Sequence, residues 1–143
     1  MGLQKVKLHT VFRDNKLNHQ IISGLKEKKV LITGATGGIG SSLVRMFANE
    51  GATIGIHYHQ NQKQAKSLLR DIEVGGVKAK CFQADLLSTN ELTLVQQFIE
   101  QFDSIDILVN NAGGVLGLKD FLEVDESDWT ETHRLNTQAP FFL

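Results

Sequence analysis

The chain is poor in the residues that cross-link or anchor a protein. It has one cysteine, Cys81, one proline, Pro140, one tryptophan and one tyrosine. A single cysteine excludes an internal disulfide framework and fits a reducing, cytoplasmic setting. Cys81 itself lies in a strand-like stretch and reads as a buried, inert thiol. No apolar run approaches the ~20 residues a helix needs to cross a bilayer. Basic and acidic side chains nearly cancel, 15 against 16, so no overall field favours nucleic acid or an anionic membrane.

What is present is the balance of a globular domain. Hydrophobic residues make up 41% and charged residues 22% of a 143-residue chain, enough for one real core. Residues 1–25 stand apart. They are polar and mildly basic, show no repeat period, and lack the apolar core of a secretory signal. They read as an arm or short helix preceding a domain that occupies residues 26–143.

From Lys28 onward, strand and helix signals alternate. Lys29 to Thr33 reads as a strand, followed by Ile39, Leu43, Met46 and Phe47 at helical spacing and a stop at Gly51. Thr53 to Tyr58 is a second strand, and Ala65, Leu68, Leu69 and Ile72 mark a second helix ended by Gly75-Gly76. Lys78 to Gln83 is a third strand. Ser88 and Glu91 have capping-box spacing, ahead of a helix whose apolar face is Leu92, Val95, Phe98, Ile99 and Phe102. Ile105 to Val109 is nearly all apolar and reads as a fourth strand buried on both faces. Trp129 to Leu143 is helix-like. Repeated β-α-β units predict an α/β fold, a doubly wound parallel sheet with right-handed crossovers. Such sheets place ligands beyond the carboxyl ends of their strands.

The loop after the first strand, Thr33-Gly34-Ala35-Thr36-Gly37-Gly38-Ile39-Gly40, suits a phosphate. Glycines allow a tight turn, close approach of a pyrophosphate, and close helix–strand packing. The helix start then presents free N–H groups and the positive end of its dipole. No Gly-Lys-Ser/Thr follows, which excludes a P-loop nucleotidase. Asp85 follows the third strand, Asn110-Asn111-Ala112-Gly113-Gly114 follows the fourth, and Asn136 lies in the last helical stretch.

Together these residues resemble the short-chain dehydrogenase/reductase family over residues 28–143. The glycine turn resembles its TGxxxGIG loop, Asn110 to Gly113 its NNAG motif, Asp85 its adenine-contacting aspartate and Asn136 its catalytic asparagine. Gly34, Gly37 and Gly40 also fit the TGxxGxxG loop of the extended branch, but the complete NNAG motif favours the compact branch of 3-oxoacyl-acyl-carrier-protein reductases. The resemblance implies a Rossmann-like sheet, a nicotinamide dinucleotide, and a small-molecule carbonyl or alcohol substrate. It implies cofactor binding by Gly34, Thr36, Gly38, Ile39, Gly40, Tyr58, Asp85, Leu86, Asn111, Ala112 and Gly113. It also implies homo-oligomers paired through the helix near Ser127, where Trp129 and Phe141 lie.

The second strand ends in His57-Tyr58-His59-Gln60-Asn61, without the acidic residue that grips the ribose 2′-OH of NAD. NADP is therefore expected ahead of NAD, with Lys63, His57 or His59 as candidate partners of its 2′-phosphate. The two histidines could also be metal ligands, but no third ligand is evident. Pro140 lacks the N–H that would bond the Asn136 carbonyl in an α-helix, which leaves that oxygen available for the family's water relay. The family's serine and YxxxK motif would follow the fourth strand and its helix, and the sequence ends at Leu143 before either. The sequence thus reads as the cofactor-binding part of such an enzyme, truncated and inactive alone. The alternative is a non-catalytic module that functions at this length.

Overall fold

A computed structural model describes residues 24–88, 91–115 and 120–143. The N-terminal arm lies outside the described residues except for its last two. Four parallel strands form one sheet: β1 (Lys29–Ile32), β2 (Thr53–Tyr58), β3 (Ala79–Gln83) and β4 (Ile107–Val109), in the order β3-β2-β1-β4. Val30 is in register with Ile54 on one side and Ile107 on the other. Helices α1 (Gly38–Asn49), α2 (Gln62–Glu73) and α3 (Glu91–Phe102) provide the crossovers. After β4 come a 3-10 turn at Phe121–Glu123, helix α4 (Glu126–His133), a π-turn (Arg134–Gln138) and the short helix α5 (Ala139–Phe142).

The period of two in a strand divides β1 between two cores. Val30 and Ile32 pack with Val44, Ile54, Ile56 and Leu68 on one side, and Leu31 packs with Phe82, Leu94 and Phe98 on the other. The rings of Phe82, Phe98 and Phe102 lie 5.0–6.2 Å apart in tilted or edge-on contact. Phe98 lies so close to β2 that a Cβ at Gly55 would sit 2.5 Å from its ring. Burying both faces of β1 and β2 is what lets their carboxyl ends carry a site on a rigid base.

The sequence-based faces need correction in three elements. Helix α1 buries Gly40, Val44 and Ala48, while Ile39 is 73% exposed and Met46 is also exposed. Ile39 sits in the first turn, which projects beyond the end of the sheet. Helix α3 buries Glu91, Leu94, Phe98 and Phe102. Leu92 and Ile99, seven residues apart, fall together on its outer flank and are exposed. The fourth strand is only Ile107–Val109 and half-buried, because among the described residues it pairs with β1 alone.

The Ser88–Glu91 capping box does not form either. The Ser88 hydroxyl donates to the Asp85 carbonyl, and the Glu91 carboxylate faces Arg134. A genuine capping box closes instead at α4, where Asp125 and Asp128 exchange side-chain and backbone bonds. Nor is the last stretch a uniform helix. Over Arg134–Gln138 it widens, with the Ala139 N–H donating to the Arg134 carbonyl five residues back. The widening directly precedes Pro140, whose missing N–H leaves the α-helical partner of the Asn136 carbonyl absent.

Candidate functional site

Because all four strands run parallel, their carboxyl ends lie on one edge of the sheet. The loops that leave them enclose a cleft of about 520 Å³, a size suited to a small-molecule ligand. The turn after β1 forms its floor. Gly34 has φ +59°, and a Cβ there would lie 2.8 Å from the Ala112 Cα. A Cβ at Gly40 would lie 2.4 Å from the Gly34 carbonyl oxygen. At Gly38 there is nothing within 4 Å of such a Cβ, so this glycine opens onto free space. Gly37 caps α1 without a side chain, and the first turn of α1 holds no acidic residue. The positive end of the helix is therefore available to an anion.

Thr33 ties this turn to the loop after β4. Its hydroxyl donates to the Val109 carbonyl (3.2 Å) and accepts from the N–H groups of Asn111 and Ala112 (both 3.0 Å). The Asn111 amide donates in return to the carbonyls of Thr33 (2.9 Å) and Gly34 (3.1 Å). Asn111 thus shapes the cleft through the glycine turn as well as lining it.

On the β2 side, His57 is 2% exposed. Its Nδ1 accepts from the Gly34 N–H (3.1 Å), and its Nε2 lies 3.2 Å from the Ala84 carbonyl. Burial pushes its pKa below the ordinary value. The Ala84 bond opposes that shift, and the neighbouring His59 adds to it. A buried neutral ring with both nitrogens engaged is no partner for a 2′-phosphate or a metal, so that expectation fails for His57. Lys63 is exposed on α2 and does not line the cleft. His59 does line it, half-exposed, with its Nε2 3.7 Å from the Asp85 carboxylate.

Of the expected binding residues, the structure brings Gly34, Thr36, Gly38, Ile39, Gly40, Leu86, Asn111, Ala112 and Gly113 to the cleft. Tyr58 is not among them. It is 7% exposed and packs in the core, because the last residue of a strand covered on both faces points into the fold. Asp85 stands just outside the lining, its carboxylate accepting from the Leu87 N–H at 3.0 Å. Asn136 faces a neighbouring cavity of about 410 Å³, with Gly114, Val115 and Trp129. Its amide brackets Gly114, accepting from the N–H (3.0 Å) and donating to the carbonyl (2.7 Å). A Cβ at Gly113 would lie 2.7 Å from the Asn136 Oδ1, so a larger residue there would displace the Asn136 amide.

Sequence reasoning missed one polar contact that joins these regions. The Arg134 guanidinium donates to the Ser88 carbonyl (2.9 Å) and to the Glu91 carboxylate. The pair is largely buried, at 14% and 5% side-chain exposure. It fastens the start of the π-turn to the loop after β3. The available signal was Glu91 itself, an acidic residue on the buried stripe of α3.

A four-stranded parallel sheet in this order, with a glycine turn and a bare helix start at its carboxyl edge, defines a Rossmann-type α/β fold. The family model of the short chain dehydrogenases matches residues 28–143, and the chain belongs to that family. It is 34% identical over 120 residues to the hydroxynaphthalene reductase-like protein Arp2 of Metarhizium anisopliae, covering 83% of this chain and 45% of that protein. It is 30% identical over 115 residues to the 3-oxoacyl-[acyl-carrier-protein] reductase FabG of Staphylococcus aureus, covering 80% of this chain and 46% of FabG. Among solved structures it is similar to the NADH-dependent reductase A1-R′ responsible for alginate metabolism (TM-score 0.77, 35% identity, 83% of this chain and 49% of that one). It is also similar to a short chain dehydrogenase from Burkholderia cenocepacia in complex with NADP (TM-score 0.77, 30% identity, 82% and 48%). The chain spans about half the length of the curated relatives it matches.

Proposed function

We propose that this chain is the dinucleotide-binding part of an NAD(P)-dependent oxidoreductase that reduces a carbonyl or oxidises an alcohol. The observation that carries the reading is the convergence, on one cleft, of a glycine turn, an uncapped helix start and the loops after β2, β3 and β4. Gly38 leaves room for a pyrophosphate at the start of α1, whose N–H groups would hold it, and Gly40 lets the helix start pack against the turn. Leu86 would lie against the adenine with Asp85 beside the cleft, and Ala112 and Gly113 would leave space for its ribose. Asn136, at the far side of Gly114, is the one catalytic position of the family pattern within this sequence. When bound, the dinucleotide supplies or accepts the hydride.

NADP is the preferred form. No carboxylate stands at the end of β2 to repel a 2′-phosphate, and His59 lines the cleft there. Binding is tested by titrating NADPH and NADH against the fluorescence and melting temperature of the protein. NADPH is expected to bind more tightly, and His59→Asp to reverse the order. A protein that responds to neither dinucleotide refutes the reading.

A second reading, binding without turnover, is favoured by Tyr58. It is the chain's one tyrosine and is packed in the core, so these 143 residues present no phenol to donate a proton to a substrate. Carbonyl reduction by the chain alone is expected to be undetectable. In a longer protein, the exposed Trp129 and Phe141 on α4 and α5 form the surface through which two copies pair.

A further inference from the structure

His57 is an unusual residue to find inside a strand buried on both faces. A polar ring in such a place must have both nitrogens satisfied, and here each faces a partner of fixed character. The Gly34 N–H only donates, so Nδ1 must carry the lone pair. The Ala84 carbonyl only accepts, so Nε2 must carry the hydrogen. One neutral tautomer meets both demands, and the imidazolium meets only one.

The same residue holds the next link of the glycine turn as well. The Ala35 N–H donates to the His57 backbone carbonyl at 2.9 Å. Two successive N–H groups of the turn are therefore received by one residue. Any amino acid would supply the backbone carbonyl; only the side chain supplies the acceptor for Gly34. That bond fixes the peptide leading into Gly34, the residue with φ +59° on which the turn reverses.

We propose that His57 is a positioning residue for the glycine turn. Its neutral ring locks Gly34 in the shape that receives a dinucleotide, and a proton on Nδ1 releases the turn. The ligand arm of this proposal rests on the dinucleotide reading above; the lock itself does not. With Nδ1 protonated, two N–H groups point at each other across a part-buried contact, and the turn must move.

Few ionisable groups surround the ring. The glycine turn and the first part of α1 carry none from Thr33 to Val44. The loop after β3 contributes Asp85, and the loop after β2 contributes His59, which lie 3.7 Å from each other. The loop after β4 contributes the uncharged Asn111. Burial disfavours the charged ring, so release falls on the acid side of an ordinary histidine and the turn stays locked near neutrality.

The test separates the lock from the ligand. Amide hydrogen exchange at Gly34 and the His57 ring resonances are followed by NMR from about pH 8 to about pH 5, without ligand, in a His59→Gln background that removes the neighbouring imidazole. Gly34 protection is expected to fall in step with protonation of His57. In the same background the dissociation constant for NADH, which carries no 2′-phosphate, is expected to rise ~10-fold or more across that range, the equivalent of one lost hydrogen bond. His57→Asn places a non-titrating carbonyl where Nδ1 stands and is expected to flatten both profiles. Gly34 protection that ignores the His57 titration overturns the proposal, as does an unchanged acid profile in His57→Asn. If NADH fails to bind at any pH while Gly34 still follows His57, the lock is supported and the dinucleotide reading is rejected.

Discussion

Thr33 and Asn111 hold each other by reciprocal hydrogen bonds. The Thr33 hydroxyl accepts the Asn111 N–H at 3.0 Å, and the Asn111 amide returns a bond to the Thr33 carbonyl at 2.9 Å. This clasp joins the first and fourth strand ends at the floor of the cleft. Its members lie 78 residues apart in the chain.

Removing the hydroxyl should show what the clasp contributes. Thr33→Val keeps the shape of a 1% exposed side chain but orphans the N–H groups of Asn111 and Ala112. The expected loss is about 2 kcal/mol of folding stability, read from urea unfolding. Thr33→Ser keeps the oxygen and should stay within about 1 kcal/mol of the parent.

The glycines separate a packing role from a binding role. Gly40→Ala places a Cβ 2.4 Å from a backbone oxygen that cannot easily retreat, so both stability and dinucleotide affinity should fall. Gly38→Ala meets no protein atom within 4 Å. Its stability should match or exceed the parent by up to about 1 kcal/mol, the usual helix gain. Its affinity should nevertheless drop ~10-fold or more, because the methyl group occupies the approach of the pyrophosphate. Calorimetric titration beside thermal melting distinguishes the two variants.

The Arg134–Glu91 pair predicts a non-additive pair of mutations. Arg134→Met alone strands a carboxylate that is 5% exposed and should cost about 3 kcal/mol. Glu91→Leu alone strands the guanidinium, although the Ser88 carbonyl still receives one of its N–H groups. Changing both together should recover most of the loss, to within about 1 kcal/mol of the parent. A double-mutant cycle by chemical denaturation measures it.

Acid stability should depend on Asp106 as well as on His57. Asp106 accepts from the Lys29 N–H (2.8 Å) and the Lys28 ammonium (3.1 Å), and these bonds hold its carboxyl below the ordinary carboxylate range. Its contribution is present above pH 3.8 and is lost as pH falls through the lower folded-state value. His57 acts in the same direction at a less acid pH. Its folded-state pKa is below 6.5, so stability falls as pH drops below that figure. Melting temperatures of Asp106→Asn and His57→Asn across the acid range should each lose one of these two slopes.

The element order was legible because each strand is short, apolar and followed by glycine or a helix start. The glycine turn and the Asn111–Gly113 loop could be read as one site because parallel strands force their ends together. Helix faces were less legible. Periodicity marks which apolar residues share a side, but it does not say how wide a stripe the sheet will cover, and so Leu92 and Ile99 were placed inside. Side chains that act across the fold left no local pattern. Arg134 meets Glu91, and His57 meets Gly34 and Ala84, only because the crossovers bring them there. His57 did carry a hint: it sits among Ile54, Ile56 and Tyr58 in a strand whose neighbours are all buried.

The strand order has a consequence for how the chain is made. Of the four described strands β1 leaves the ribosome first, and both of its neighbours come later. Val30 meets Ile54 early, but its other partner is Ile107, and that edge joins residues 77 positions apart. Until the fourth strand emerges, Val30, Leu31 and Ile32 present an unpaired apolar edge to the surrounding cell. Closing so long a loop is slow, because its entropy must be surrendered before any contact repays it. The nascent chain is therefore most exposed to misassembly in the interval before β4 emerges, with the glycine turn already built and its floor still missing.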